Sequence, residues 1–401
     1  MDQIPAPAVS RELWNVLAQT SINFLCLSAY AYFGIWFALE VTHSVLDAGL
    51  VDGIWTVPQL LAFAVGAWAD RLKCRKSVAI MIVGSRVPAV LAFILALDAQ
   101  PRLLKLAVMM GASAYLGFAQ VASGSIRSIW IRGLTRTGQF SRVVSFQAIL
   151  QRSLAAIGIV IPGLLFLTGL EVAAVGVALL FGTALVPLTF FAETATATTT
   201  PGAPPKKIAS GFQYLVRSRL LRQAYSASLT LALVFGMIGL IEATLVALRF
   251  DLSALFYSGL GVASSISMAV GAYLGHHWKR PMGLLVPGMF VAMGGLYLLL
   301  VPFLFYAVLV LLAVGLGLIY GFVTVPLSAV CSEATPPEFA GSIGGAYGSL
   351  LSIAVMTAPL LAGVLLTVVA LNSALLLVGL AAIGCGLATM SHREMAKATP
   401  H

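Results

Sequence analysis

The chain has 401 residues, of which 60% are hydrophobic and 9% charged, with a formal net charge of +9 and a mean hydropathy of +1.00. A water-soluble domain must cover its exterior with polar groups, so this composition excludes one and leaves a protein whose solvent is lipid. The basic residues form no stripe and fall mostly in short loops between apolar runs, which excludes a nucleic-acid-binding face.

Crossing about 30 Å of hydrocarbon takes about 20 helical residues. Runs of that length fall at 13–40, 45–69, 77–97, 104–131, 143–168 and 172–192. A second set follows at 222–249, 254–276, 282–301, 305–331, 339–367 and 371–391. No ten-residue polar/apolar alternation of the β-barrel kind is present, and in lipid only helices otherwise satisfy every backbone group. The expectation is an all-α membrane protein with twelve transmembrane helices in two six-helix bundles, 1–192 and 222–401, joined by a linker at 193–221. The first run follows Arg11, is too long for a signal-peptide core and lacks a small-residue cleavage site, so it reads as a permanent span. The linker begins with a low-complexity Thr/Pro/Ala stretch, 193–207, that suits a connector better than a packed element.

Lys and Arg set the expected orientation. Arg71, Lys73, Arg75 and Lys76 lie between spans two and three, and Arg132, Arg136 and Arg142 between four and five. Lys206, Lys207, Arg217, Arg219 and Arg222 follow span six, and Lys279 and Arg280 follow span eight. The opposite loops carry only Arg102, Lys105 and Arg249, so both termini are expected on the cytoplasmic side. The four cysteines are far apart, with no CxxC pair, and support neither a disulfide framework nor a zinc site. His276 and His277 have no evident third ligand, and the reading is of no metal and no cofactor.

The two halves repeat weakly. Gly66-Ala-Trp-Ala-Asp70-Arg71-Leu-Lys73-Cys74-Arg75-Lys76 ends span two, and Gly271-Ala-Tyr-Leu-Gly275-His276-His277-Trp-Lys279-Arg280 ends span eight at an offset of 205 residues. The first segment resembles the GxxxDRxxRK loop signature of the major facilitator superfamily, with Cys74 in place of the usual Gly. Gly158-Ile-Val-Ile161-Pro162-Gly163 is similar to that superfamily's antiporter signature, with Ile161 where Gly is usual. The run from Ile208 to Arg222 and the loop Pro337-Glu338-Phe-Ala-Gly341 resemble the branch that holds macrolide efflux pumps and the enterobactin exporter, with Ser342 replacing that loop's Arg.

The resemblance implies alternating access, in which two bundles rock about a central cavity. It also implies a latch, with Asp70 at the helix start formed by Pro336-Pro337-Glu338, and Arg71, Arg75 and Lys76 opposite Glu333 and Glu338. The rival reading is that these basic residues only set topology.

Each ionisable residue inside a span costs about 2.5–3.5 kcal/mol on insertion scales and is therefore a functional candidate. Arg86 and Arg152 offer planar forks for a carboxylate, catecholate or phosphate; for Arg86 a structural role, satisfied by carbonyls or by Gln120, weighs more. Gln19, Asn23 and Tyr30 share one face of span one, which suits either substrate or helix–helix hydrogen bonds. Glu242 is a candidate proton carrier or a partner for Arg249, and Asp52 a second carrier or an external gate. Glu40 and Asp47 read as loop surface, and Trp36 and Phe37 as an interfacial belt. No nucleophile elbow, phosphate loop or ATP motif is present, so the protein reads as no enzyme. The expected function is a proton-driven secondary transporter, a monomer of the bacterial inner membrane, exporting a siderophore-like molecule or an amphipathic drug. Import of a siderophore or other small nutrient is the alternative, since sequence gives no direction.

Overall fold

The computed structural model describes residues 11–135, 140–192, 208–303, 305–335 and 340–398, with the side chains of Asp70 and Arg152 outside the description. In the first half, α1 (Arg11–Thr42) is followed by α2 (Val45–Thr56) and α3 (Ala62–Asp70), which a 3-10 turn at Val57–Leu61 joins into one span. Next come α4 (Arg75–Gly84) and α5 (Arg86–Asp98), α6 (Arg102–Leu134), α7 (Phe140–Phe166), then α8 (Leu170–Thr183) with α9 (Val186–Phe190). A connecting helix, α10 (Ile208–Arg217), packs on the second half. There α11 (Arg219–Gly236), α12 (Ile238–Thr244) and a π-helical turn at Leu245–Arg249 form one span. The remaining helices are α13 (Ala254–His276), α14 (Leu285–Leu300), α15 (Tyr306–Glu333), α16 (Ala340–Val368), α17 (Leu371–Thr389) and α18 (Arg393–Lys397).

Nine of the described spans are long and apolar enough to cross a membrane by themselves. Pairing α2 with α3, and counting α7 and α14, completes twelve transmembrane helices in two bundles.

The interruptions have local causes. Pro58 withholds a backbone donor where the second span turns 3-10. Ser85 separates α4 from α5. Between α7 and α8, Gly169 takes φ +125°, a conformation that only glycine adopts without strain.

In lipid, apolar burial adds little drive between helices, so close packing and polar bonds decide which surfaces meet. The halves touch mainly where α2 meets α16 and α7 meets α13. Small residues set these approaches. A Cβ on Gly49 would lie 2.6 Å from the Pro359 carbonyl oxygen, and one on Gly163 would lie 2.4 Å from Ser258 Oγ. Gly49 is near the start of α2, and Gly163 near the end of α7. The seal between halves is therefore tight at the end opposite the linker. Tyr32 and Trp36 of α1 complete it against Tyr257 of α13, the first ring tilted and the second stacked, with centroids 4.7 and 5.8 Å apart.

Two expectations from the sequence are corrected. Trp36 and Phe37 are 5% and 0% exposed and belong to the packed core, not to an interfacial belt. Asp47 is 3% exposed, sits in the first turn of α2 and pairs with Arg102 at 2.9 Å, whereas Glu40 is exposed as expected. The helix N-terminus and the guanidinium together explain why that carboxylate is held.

Candidate functional site

Two polar clusters interrupt the apolar interior. The first lies within the first half, where α1, α5 and α6 meet. Arg86 is fully buried at the start of α5. Its Nη1 donates to Asn23 Oδ1 and its Nη2 to Ala119 O at 2.6 Å and Ser123 Oγ at 2.5 Å, with Gln120 Oε1 at 3.5 Å. Asn23 Nδ2 donates to Gln120 Oε1 at 3.1 Å, and the Phe181 ring lies 5.8 Å from the guanidinium carbon. Neutral acceptors from two helices hold the two terminal nitrogens of its fork, while its Nε has no partner.

Arg127, which the sequence reading passed over, is 6% exposed and donates from Nη1 to the same Ser123 Oγ at 3.1 Å. It lies close to the predicted end of span four, where a basic residue reads as part of the loop. Only the turn of α6 shows it facing inward. Gln19, one turn from Asn23 on α1, is 1% exposed, and neither amide atom has a hydrogen-bond partner. Tyr30 does not join this cluster; its hydroxyl donates to Ser113 Oγ at 2.6 Å, and its ring packs edge-on to Trp55 and Phe93. The Arg152 side chain lies outside the described residues.

The second cluster straddles the halves. Glu242 of α12 is 2% exposed, and its Oε1 has no hydrogen-bond partner. Arg249 is exposed, Glu242 is buried and no ion pair joins the two, so the Glu242–Arg249 pairing considered from spacing is not formed. Asp52 of α2 is partly buried. α12 packs against α1, α2 and α13, the helices that carry Tyr32, Asp52 and Tyr257. The helix that carries Glu242 therefore meets the helix that carries Asp52 at the junction of the halves. Glu242 is flanked by the break at Met237 and the π turn at Leu245–Arg249, and π-helical turns often mark functional positions.

The latch residues divide differently. Arg75 Nε donates to Ala69 O at 3.4 Å and Lys76 Nζ to Thr189 O at 3.3 Å, both within the first half. Arg71 and Glu333 are exposed at the linker end; the Asp70 side chain and Glu338 lie outside the described residues.

Two cavities among the described residues lie apart from the buried charges and are lined by neither Glu242, Asp52, Arg86 nor Arg127. One of about 480 Å³ opens between the halves beside Trp36, Glu40, Phe166, Ala247, Asp251 and Ser253. The other, of about 270 Å³, lies in the second half among Tyr225, Ser228, Ser328, Cys331, Thr335 and Tyr347.

Residues 16–359 match the Major Facilitator Superfamily. The chain belongs to that superfamily. This transporter has the fold of the nucleoside transporter NupG, whose crystal structure gives a TM-score of 0.71 at 13% identity and covers 95% of this chain and 98% of that one. A bacterial homologue of the human lysosomal transporter Spinster, in an inward-facing and occupied conformation, gives 0.68 at 11% identity, covering 96% and 95%. At such identities the likeness shows the fold alone. No curated protein sequence matches the chain. As a member of the superfamily, it is a multi-pass membrane transporter of small molecules and not an enzyme.

Proposed function

We propose that the protein is a proton-driven exporter of a small organic molecule, working as a monomer in the bacterial inner membrane with both termini cytoplasmic. The substrate is siderophore-like or an amphipathic drug. The observation that carries this reading is the buried Glu242 carboxyl group, whose Oε1 has no hydrogen-bond partner, on a helix that packs against the Asp52-bearing α2 at the junction of the two halves.

An unpaired ionised carboxylate closed away from water costs several kcal/mol. Closure at the end opposite the linker is therefore linked to a bound proton on these acids. When the halves part at that end, Glu242 and Asp52 meet outside water and take up a proton. The seal of Tyr32, Trp36 and Tyr257 can then re-form. Opening at the linker end lets the proton leave to the cytoplasm as substrate binds, so one proton enters as one molecule leaves. Asp70, Arg71, Arg75 and Lys76, against Glu333 and Glu338, latch the linker end in the outward-open state.

The test compares the culture medium and cell extract of a deletion strain with those of the wild type. A compound lost from the medium and accumulated inside supports export. An unchanged medium with impaired uptake of a nutrient or ferric complex refutes it in favour of import.

A further inference from the structure

The cluster at α1, α5 and α6 contains more positive charge than a structural role requires. Arg86 and Arg127 both donate to the Ser123 hydroxyl, whose oxygen has two lone pairs, and that hydroxyl donates in turn to Gln120 O at 3.3 Å. Ser123 is thereby saturated. No carboxylate among the described residues acts on either guanidinium; the charge acting on Arg127 is that of Arg86. Two like charges are held together, inside the membrane span, with no opposite charge beside them among the described residues.

The two arginines are not equivalent. Both terminal nitrogens of Arg86 are committed to Asn23, Ala119, Gln120 and Ser123, and the residue has no exposure. Arg127 has one hydrogen bond among the described residues and retains 6% exposure. Gln19 lies beside it by register. α1 and α6 run antiparallel and meet through Asn23–Gln120. Stepping one turn back from Asn23 gives Gln19, and one turn on from Ser123 gives Arg127, so both steps go toward the linker end by about 6 Å. A helical side chain leans toward its own N-terminus, which returns the Arg127 fork to the level of Gln19 and Ser123. By register the cluster thus brings together a positive fork, an amide N–H donor and an amide oxygen acceptor, the last two buried and without partners.

We propose that Arg127 and Gln19 bind the anionic group of the transported molecule, an oxyanion that carries a neighbouring hydroxyl or N–H. Arg127 contacts the oxyanion, Gln19 Nε2 donates to it, and Gln19 Oε1 accepts from the adjacent donor. Arg86 is a positioning residue that fixes Ser123 and, through it, the Arg127 fork. The inference rests on the export reading and narrows its substrate to a hydroxy-acid-like anion.

The test uses the purified full-length protein in detergent and follows its melting midpoint with 2-hydroxybenzoate as probe. The expected result is a saturable rise that the neutral 2-hydroxybenzamide does not give. In Arg127→Gln the rise disappears, and in Gln19→Ala the half-saturating concentration increases about tenfold or more. Should Arg127→Gln fail to fold, Gln19→Ala and Arg127→Lys, expected to bind more weakly but detectably, carry the test. No rise in the wild type, an equal rise with the amide, or variants that respond like the wild type overturn the assignment. The deletion comparison above reads export without reference to this site, so either claim can fail alone.

Discussion

In the proposed cycle Glu242 carries the proton, and its carboxyl group is buried and lacks an internal partner for Oε1. Glu242→Gln keeps the shape and removes the ionisable group. Purified Glu242→Gln should melt no lower than the wild type, while substrate export driven by an imposed proton gradient in vesicles falls at least tenfold; full gradient-driven export would refute proton carriage by this residue. Arg86 gives the opposite expectation. Arg86→Leu strands Asn23 Oδ1 and removes one donor each from Ala119 O and Ser123 Oγ, and a stranded buried group costs about 1–3 kcal/mol. The expected outcome is a lower melting midpoint before any effect on transport is considered. An unchanged midpoint would show that the network contributes nothing to stability. The sequence marked Arg86 and Glu242 because charge in an apolar run is conspicuous. It could not distinguish their roles, because a hydrogen-bond shell drawn from distant helices has no local signature.

At the scale of elements, glycines decide how closely helices approach. Gly49 and Gly53 admit the α16 backbone, and Gly163 admits α13. Gly49→Val places methyl groups where the Pro359 carbonyl now lies, so the halves cannot close at the end opposite the linker. In Gly49→Val, a cysteine introduced at Ser253 should react with membrane-impermeant maleimide several times faster than in a wild-type background, and transport should fall. An unchanged labelling rate would separate the crossing from the gate. The same reasoning explains the imperfect repeat between halves. Gly275 occupies the position that Asp70 holds in the first half, and a Cβ there would lie 2.3 Å from the Phe322 carbonyl oxygen. An acid cannot replace it without parting α13 from α15. The periodicity of the apolar runs located these helices within a few residues, but not the breaks at Val57–Leu61, Ser85 and Leu245–Arg249.

For the whole molecule, alternating access requires each end to seal in turn. The seal opposite the linker is built from glycine crossings and aromatic stacking, whereas the proposed linker-end latch is ionic. Asp70→Asn removes the latch charge without changing the loop's size. It should cut export sharply while leaving the amount of folded protein in the membrane unchanged, measured on the same vesicles; undiminished export would leave topology as the sole role of the basic loop.

Composition alone determined that this chain lives in lipid, because no arrangement of a 60% hydrophobic chain could cover itself with polar surface in water. The spacing of the apolar runs determined the twelve spans, because hydrocarbon thickness fixes helix length. The loop signature carried the resemblance that the family match supports. Only the tertiary structure decided that Trp36, Phe37 and Asp47 lie inside, that Glu242 stands apart from Arg249, and that Arg127 shares Ser123 with Arg86. These depend on which helix faces lie together. In lipid that choice is made by close packing and hydrogen bonds between residues far apart in the chain, and hydropathy carries no record of it.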